Sequence, residues 1–159
     1  MTTYLRYVAI GDSQTEGLGD GDDVSGHRGW ADRLAEHLAR AEPDFTYANL
    51  AVRGKTAGQI RAGQLARALA LEPDLVSVMA GMNDLVRPGF RPEAIAAELD
   101  GMFAQLTAAG AHVFTFTFPD LTRLTPALAG MRPRLLGFNT RIRAAAARHG
   151  VTVVEMEYP

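Results

Sequence analysis

Short apolar runs, rich in β-branched and aromatic residues, recur along the chain with room for a helix between each pair. None of them alternates cleanly with polar residues, a pattern typical of parallel strands that are covered on both faces. They predict five strands, with the sequences YVAIG (7–11), FTYANL (45–50), LVSVMA (75–80), HVFTFTF (112–118) and VTVVEM (151–156).

The segments between these runs place apolar residues three or four positions apart, which predicts amphipathic helices. The clearest stripe is entered through Pro92 and closed by Gly110, and the last one is closed by Gly150. Strand and helix therefore alternate along the whole chain. This predicts an α/β fold of three layers, a five-stranded parallel sheet with helices on both faces, in the flavodoxin-like strand order 2-1-3-4-5.

Composition limits the classes of function. The 159 residues, 47% of them hydrophobic, suit one domain spanning 1–159 with a single core. A net charge of −2 argues against a nucleic-acid partner, and the lack of cysteine excludes disulfides, a thiolate nucleophile and Cys-ligated zinc. There is no leader-like N-terminus and no apolar run near the ~20 residues of a membrane span, so we expect a cytoplasmic protein without membrane contact.

Polar residues follow each predicted strand. GDSQTEG comes after the first strand, AVRGKT after the second, GMNDL after the third and FPDLT after the fourth. Because ligands of such sheets bind beyond the carboxyl ends of the strands, we expect Ser13, Gly54, Asn83 and Asp120 to meet at one edge.

This set of residues suits a nucleophile surrounded by proton donors. Ser13 offers a hydroxyl and its own backbone N–H, Gly54 offers an N–H with no side chain in the way, and Asn83 offers an amide. Three such donors are what the oxyanion of a tetrahedral intermediate needs. Asp12 and Asp84 are expected to support the loops by accepting backbone N–H bonds.

Taken in order and spacing, IGDSQTEG, NLAVRGKT and GMNDL resemble the first three conserved blocks of the SGNH hydrolases, the GDSL esterase/lipase family. The resemblance covers essentially the whole chain. It implies that Ser13 is the catalytic nucleophile, that the N–H of Ser13, Gly54 and Asn83 form the oxyanion hole, and that no metal or other cofactor takes part. It also implies a small-molecule ester or acyl substrate.

The family's last block, Asp-x-x-His, supplies the general base and the acid that orients it, and it does not occur in this sequence. A serine without a neighbouring base is a poor nucleophile. We therefore expect this chain to be inactive or weakly active, with the catalytic Asp and His beyond Pro159. Of the four histidines only His27 follows Ser13 at the same edge, as a weak substitute base.

Two other interpretations accompany this one. A catalytically silent acyl-binding or assembly module of the same fold is the alternative function. A cation site in the acidic run Glu16, Asp20, Asp22 and Asp23 is disfavoured because the run lacks a fixed ligand spacing.

The family's final helix normally covers one side of the sheet close to the first helix. A C-terminally truncated domain without this helix is expected to expose apolar surface on the first and fifth strands, and such surface favours self-association.

Overall fold

The computed structural model describes residues 3–22, 24–120, 122 and 125–157. The strands in these ranges are β1 (Arg6–Gly11), β2 (Gly21–Asp22), β3 (Gly26–His27), β4 (Thr46–Asn49), β5 (Leu75–Met79), β6 (His112–Phe116) and β7 (Thr152–Val154). The α-helices are α1 (Ser13–Glu16), α2 (Trp30–Ala39), α3 (Ala57–Ala70), α4 (Met82–Leu85), α5 (Pro92–Ala108) and α6 (Arg132–His149), with a 3₁₀ helix over Pro126–Met131. Not one of these helices combines the length and the apolar character that a bilayer span requires.

The main sheet has five strands in the order β4-β1-β5-β6-β7, with every pair parallel. Numbered along the chain, these strands run 2-1-3-4-5, so the predicted topology is confirmed. The strands β2 and β3 form a separate antiparallel hairpin between α1 and α2. Because β1 pairs with both β4 and β5, the turns that follow these three strands lie side by side at one edge.

Helices lie on both faces of the sheet. The larger face packs against α3, α5 and α6 and carries the main core, in which Val8, Val76 and Phe103 are at most 2% exposed. The second face is covered by α2, whose Ala31 and Ala35 contact the cluster that contains Tyr7. The three-layer arrangement predicted from the sequence is thus confirmed.

The expected exposure of the first strand is wrong. Tyr7 and Ala9 are both 0% exposed, because α2 packs directly on β1. For the fifth strand, β7, the expectation holds: Val153 packs against the main core, so Val154 faces the other side of the sheet, where it is 37% exposed. The open part of the second face therefore lies over β6 and β7.

The chain turns sharply at the end of β1. A Cβ atom on Gly11 would lie 2.6 Å from Thr15 Oγ1 and 2.8 Å from the Met79 carbonyl oxygen, so only glycine fits. The tight fit brings α1 directly over the end of the strand. Both α1 and α4 have four residues, too few for a periodic apolar pattern, and the sequence did not predict them as helices.

Candidate active site

Ser13 is the first residue of α1 and is half-buried at the carboxyl end of β1. The N-cap of this helix is Asp12, whose Oδ1 accepts a hydrogen bond from Gln14 N at 3.2 Å. A capping role for Ser13 is therefore excluded. Its hydroxyl forms no hydrogen bond with any residue that the structure describes, and its N–H lies in the first helical turn, where intrahelical acceptors are lacking.

Asn83 lies in α4 and joins three turns of the chain. Its Nδ2 atom donates to Asp12 Oδ2 at 3.1 Å and to the Lys55 carbonyl oxygen at 3.0 Å. The helix is entered through Gly81, with φ +116° and the aromatic ring of Phe138 2.4 Å from where a Cβ would be. Glycine at this position lets α4 sit close to the core and directs Asn83 towards the end of β1.

Gly54 occupies the turn after β4 with a φ of +74°, in the region that favours glycine. Apart from its chain neighbours, no described atom lies within 4 Å of the position that its Cβ would take, so the space on that side of the residue is open. The flanking carbonyl groups are held: Arg87 Nη2 donates to Gly54 O at 3.2 Å, and Asn83 donates to Lys55 O. The carbonyl side of the turn is therefore fixed, and the side on which a Cβ would lie is open.

The carboxyl groups of Asp12 and Asp84 connect these turns. Asp12 is 1% exposed, and this burial raises its pKa, with a smaller contribution from the charge of Asp84 and an opposing one from the Gln14 N–H. Asp84 Oδ2 accepts a hydrogen bond from Ala57 N at 2.9 Å, at the start of α3, and burial raises the pKa of this carboxyl as well. Both groups act on the geometry of the loops around Ser13 and Asn83.

A charged cluster lies beside the Gly54 turn. Glu16 Oε2 accepts the backbone N–H of Arg53 at 2.8 Å, and the Arg53 guanidinium, by bonding to Glu16, holds the pKa of that carboxyl below its usual range. The same guanidinium lies 3.0 Å from His27 Nε2. Because arginine can only donate, the His27 Nε2 lone pair accepts from Arg53 and is engaged away from Ser13.

The other histidines lie elsewhere. His112 opens β6 and His149 ends α6, where it contacts Asp100 at 3.0 Å, so both are at the opposite edge of the sheet. His37 lies within α2. None of the four histidines forms a hydrogen bond with Ser13 in the structure.

The turn after β6 contributes to an apolar pocket at this edge of the sheet, whereas its acidic residue, Asp120, is bonded elsewhere. Asp120 accepts a hydrogen bond from the Thr122 hydroxyl and another from Arg132 at 2.8 Å, and both contacts lower its pKa. No described hydrogen bond connects it to Asp12 or Asn83. The pocket beside Asn83 has a volume of about 110 Å³ and is lined by Met82, Leu85, Val86, Pro119, Thr122, Met131 and Leu135.

Sequence reasoning missed Gln64, which is 3% exposed in α3 and binds both peptide groups of Gly11. The available signal was its place between Ile60 and Ala68 on the buried side of the helix, where an apolar residue is expected. No group of three metal-binding side chains occurs within the described ranges, from which Asp23 of the acidic run is excluded.

Comparison with known proteins places the whole chain in one family. The model of the GDSL-like lipase/acylhydrolase family matches residues 9–159. No curated protein matches the chain by sequence.

Solved structures agree with the fold. LAE5, an alpha/beta hydrolase enzyme from the metagenome of Lake Arreo, Spain, is 24% identical with a TM-score of 0.80, covering 99% of this chain and 79% of its own. A catalytic mutant of Axe2, an acetylxylan esterase from Geobacillus stearothermophilus, is 18% identical with a TM-score of 0.80. The match covers 99% of this chain and 78% of the Axe2 chain. TesA is 28% identical with a TM-score of 0.71, covering 93% and 76%. With a family model that spans nearly all of its length, the chain belongs to the GDSL-like lipase/acylhydrolase family.

Proposed function

We propose that the chain carries the nucleophile and the oxyanion hole of a serine ester hydrolase. Ser13 is the nucleophile, and the N–H groups of Ser13 and Gly54 and the Nδ2 atom of Asn83 are the oxyanion donors. One observation carries the proposal: Asn83 Nδ2 lies 3.1 Å from the carboxyl of Asp12, the residue directly before Ser13, and 3.0 Å from Lys55 O, directly after Gly54. Turns that are far apart in sequence thus meet around one point.

The reaction follows from this geometry. Ser13 Oγ attacks the ester carbonyl carbon and gives its proton to a base, while the carbonyl oxygen becomes an oxyanion held by the donors. The ester C–O bond then breaks, and the alcohol leaves with the proton from the base. Water hydrolyses the acyl-serine by the same two steps, which releases the acid and restores Ser13.

The general base comes from outside this 159-residue sequence. His27 is engaged with Arg53, and the remaining histidines lie away from the Ser13 edge or inside α2. Oxyanion stabilisation and substrate binding alone still leave about 10³–10⁴-fold acceleration over water in serine hydrolases that lack triad members. We therefore expect weak activity from the chain by itself.

The apolar pocket beside Asn83 is suited to the acyl part of the substrate. Its volume of about 110 Å³ is smaller than the roughly 150 Å³ cavity that holds benzene in an engineered protein. A chain of a few carbons fills such a space. The substrate is therefore a small ester with a short acyl group.

Added imidazole tests the proposal, because it can take the place of the missing base. The chain is assayed with p-nitrophenyl acetate and butyrate, with and without imidazole, beside a Ser13→Ala variant. We expect imidazole to raise the wild-type rate to a plateau, whereas the variant shows only the reaction of imidazole in solution. The Ser13-dependent part should increase from about pH 6 to 8, as imidazole loses its proton.

Equal rates for the two proteins at every imidazole concentration would contradict the hydrolase. They would favour the silent module, for which the absence of Asp-x-x-His from the sequence is the supporting observation. In that case a non-hydrolysable short-chain amide should still bind, and Val86→Phe, which narrows the pocket, should weaken its binding.

A further inference from the structure

We propose that Gln64 is a positioning residue that fixes the turn carrying the nucleophile, an inference that rests on the proposed role of Ser13. Gln64 does not reach the reacting atoms. It acts through Gly11, two residues before Ser13.

The contact is a paired hydrogen bond. Gln64 Oε1 accepts from Gly11 N at 2.8 Å, and Gln64 Nε2 donates to Gly11 O at 2.9 Å. One carboxamide thus binds the N–H and the C=O of a single residue, as a neighbouring β-strand does.

The position of the contact explains why a side chain is used. β4 ends at Asn49, which pairs with Ala9, while β1 continues to Gly11. Beyond Asn49 the chain still runs beside β1, since Leu50 N donates to Ala9 O at 2.9 Å and Val52 N donates to Gly11 O at 3.2 Å. The Gln64 carboxamide supplies the acceptor for Gly11 N and a second donor to Gly11 O, and so keeps the end of β1 in sheet geometry.

Stability alone does not account for glutamine at this position. Ile60 and Ala68, one turn to either side, are 0% exposed, so the site suits an apolar residue. A buried carboxamide is costly unless both of its ends are bonded. Residues that break a local pattern in this way are expected at functional sites.

The short connection makes the effect direct. Rotation of the Gly11 peptide would move Asp12, which both caps α1 and holds Asn83 Nδ2. Gln64 therefore controls the placement of the nucleophile and of one oxyanion donor together.

The test is the kinetics of Gln64→Leu, which keeps the bulk of the side chain and removes both hydrogen bonds. In the imidazole-supported, Ser13-dependent reaction we expect kcat to fall about 10- to 100-fold, since a displacement near 1 Å can cost 10²-fold. KM should change less than about threefold, because Gln64 does not contact the substrate.

Two variants serve as controls. Tyr7 lies in β1, the strand that contains Gly11, but away from the active edge; Tyr7→Phe removes its buried hydrogen bond of 2.8 Å to Ser77 Oγ of β5. It should lower the melting temperature and leave kcat unchanged. Gln64→Glu should recover activity relative to the wild type as the pH falls, because only a protonated carboxyl can both accept from Gly11 N and donate to Gly11 O.

Amide hydrogen exchange at Gly11, Asp12 and Ser13, followed by NMR, gives a readout that does not depend on activity. Faster exchange there in Gln64→Leu, and not in Tyr7→Phe, supports the inference even if no Ser13-dependent hydrolysis is found, which would refute only the proposed function. If Gln64→Leu has the same amide exchange rates and the same kcat as the wild type, the inference is overturned. An equal loss of kcat in Tyr7→Phe would also overturn it. If Gln64→Leu does not fold, Gln64→Glu is used for the test. A ratio of its kcat to that of the wild type that stays constant with pH would then refute the inference.

Discussion

Asn83 already has two acceptors within the protein. Its Nδ2 hydrogens point to Asp12 Oδ2 and Lys55 O, so in the proposed oxyanion hole the oxyanion would share or replace one of these acceptors. An oxyanion is a stronger acceptor than a peptide carbonyl because it carries a full charge. In the proposed mechanism the two bonds hold the amide in place before the substrate binds, and the stronger bond to the oxyanion would form only in the transition state.

Replacement of Asn83 by alanine should lower the imidazole-supported rate about 10²–10³-fold, the usual effect of losing one oxyanion donor. Steady-state hydrolysis of p-nitrophenyl butyrate measures it. The control is Gln105→Ala, which removes an exposed amide that donates to Gly101 O at 3.4 Å. A rate for Asn83→Ala within threefold of wild type would remove this side chain from the oxyanion hole.

Asp12→Asn tests the link between Asn83 and the nucleophile turn. Asparagine is as good an N-cap as aspartate, so α1 should be retained. The amide nitrogen of the new side chain would, however, face Asn83 Nδ2, and two donors cannot bond to each other. We expect a loss of about tenfold or more in kcat with little change in stability, measured by kinetics and thermal unfolding. Unchanged kcat would show that Asn83 is held without the carboxylate.

At the scale of elements, α1 is tied to the turn before Gly54 by Glu16 and Arg53. The Glu16 carboxylate accepts both the Arg53 N–H and its guanidinium, and these bonds lower the pKa of the carboxyl. A lowered folded-state pKa means that the pair stabilises the fold above the ordinary glutamate value of about 4.3 and loses this effect as the pH falls through the folded pKa.

Glu16→Gln should therefore be less stable than the wild type at pH 7, by up to about 1 kcal/mol for a partly exposed ion pair. The difference should shrink as the pH drops below about 4, because the wild-type carboxyl then takes up its proton. Urea unfolding at several pH values measures this. A difference that does not vary with pH would mean that charge is not the source of the stabilisation.

The apolar pocket predicts a chain-length preference. Each buried methylene contributes about 0.8 kcal/mol, so butyrate esters should exceed acetate esters by roughly tenfold in kcat/KM. Val86, 58% exposed on the pocket wall, is the position to block. Val86→Phe should abolish the preference, whereas Leu71→Phe, at an exposed leucine at the end of α3, should leave it. A preference that survives Val86→Phe would place the acyl chain elsewhere.

Elements differed in how far the sequence could predict them. The long helices follow from their apolar period and from Pro92, Gly110 and Gly150 at their ends, and the structure places them there. The short helices α1 and α4 have no period to detect. The Gln64–Gly11 contact joins residues 53 positions apart, and its partner is a backbone group that carries no residue-specific signal.

At the scale of the molecule, the second face of the sheet is more open over β6 and β7 than over β1. Phe114 and Phe116 are partly buried beneath Trp30, and Val154 on the neighbouring β7 is 37% exposed. We propose that two copies associate through this face, where Val154 is exposed and Phe114 and Phe116 are only partly buried.

Light scattering after size-exclusion chromatography tests the association. Val154→Asp should shift a dimer towards the monomer, because it buries a charge at the interface. Val24→Asp, at a loop residue that is 98% exposed, should have no effect. A wild-type protein that stays monomeric at its highest soluble concentration would refute the association.

The strand order and the edge that holds the site could be predicted from the sequence, because parallel α/β sheets place the ends of their strands together. The burial of β1 beneath α2 could not be predicted from the sequence, because it depends on how the helix is oriented across the sheet. The general base could not be located by either approach, because the Asp-x-x-His motif does not occur in this sequence.

Each turn at the active edge is held by a side chain that belongs to a different turn or helix: Asp12 holds Asn83, Glu16 holds Arg53, and Gln64 holds Gly11. This sets a rule for redesign by loop exchange with relatives. A transplanted loop leaves its anchor behind, so grafts made one loop at a time should fail where grafts that carry both members of a pair succeed.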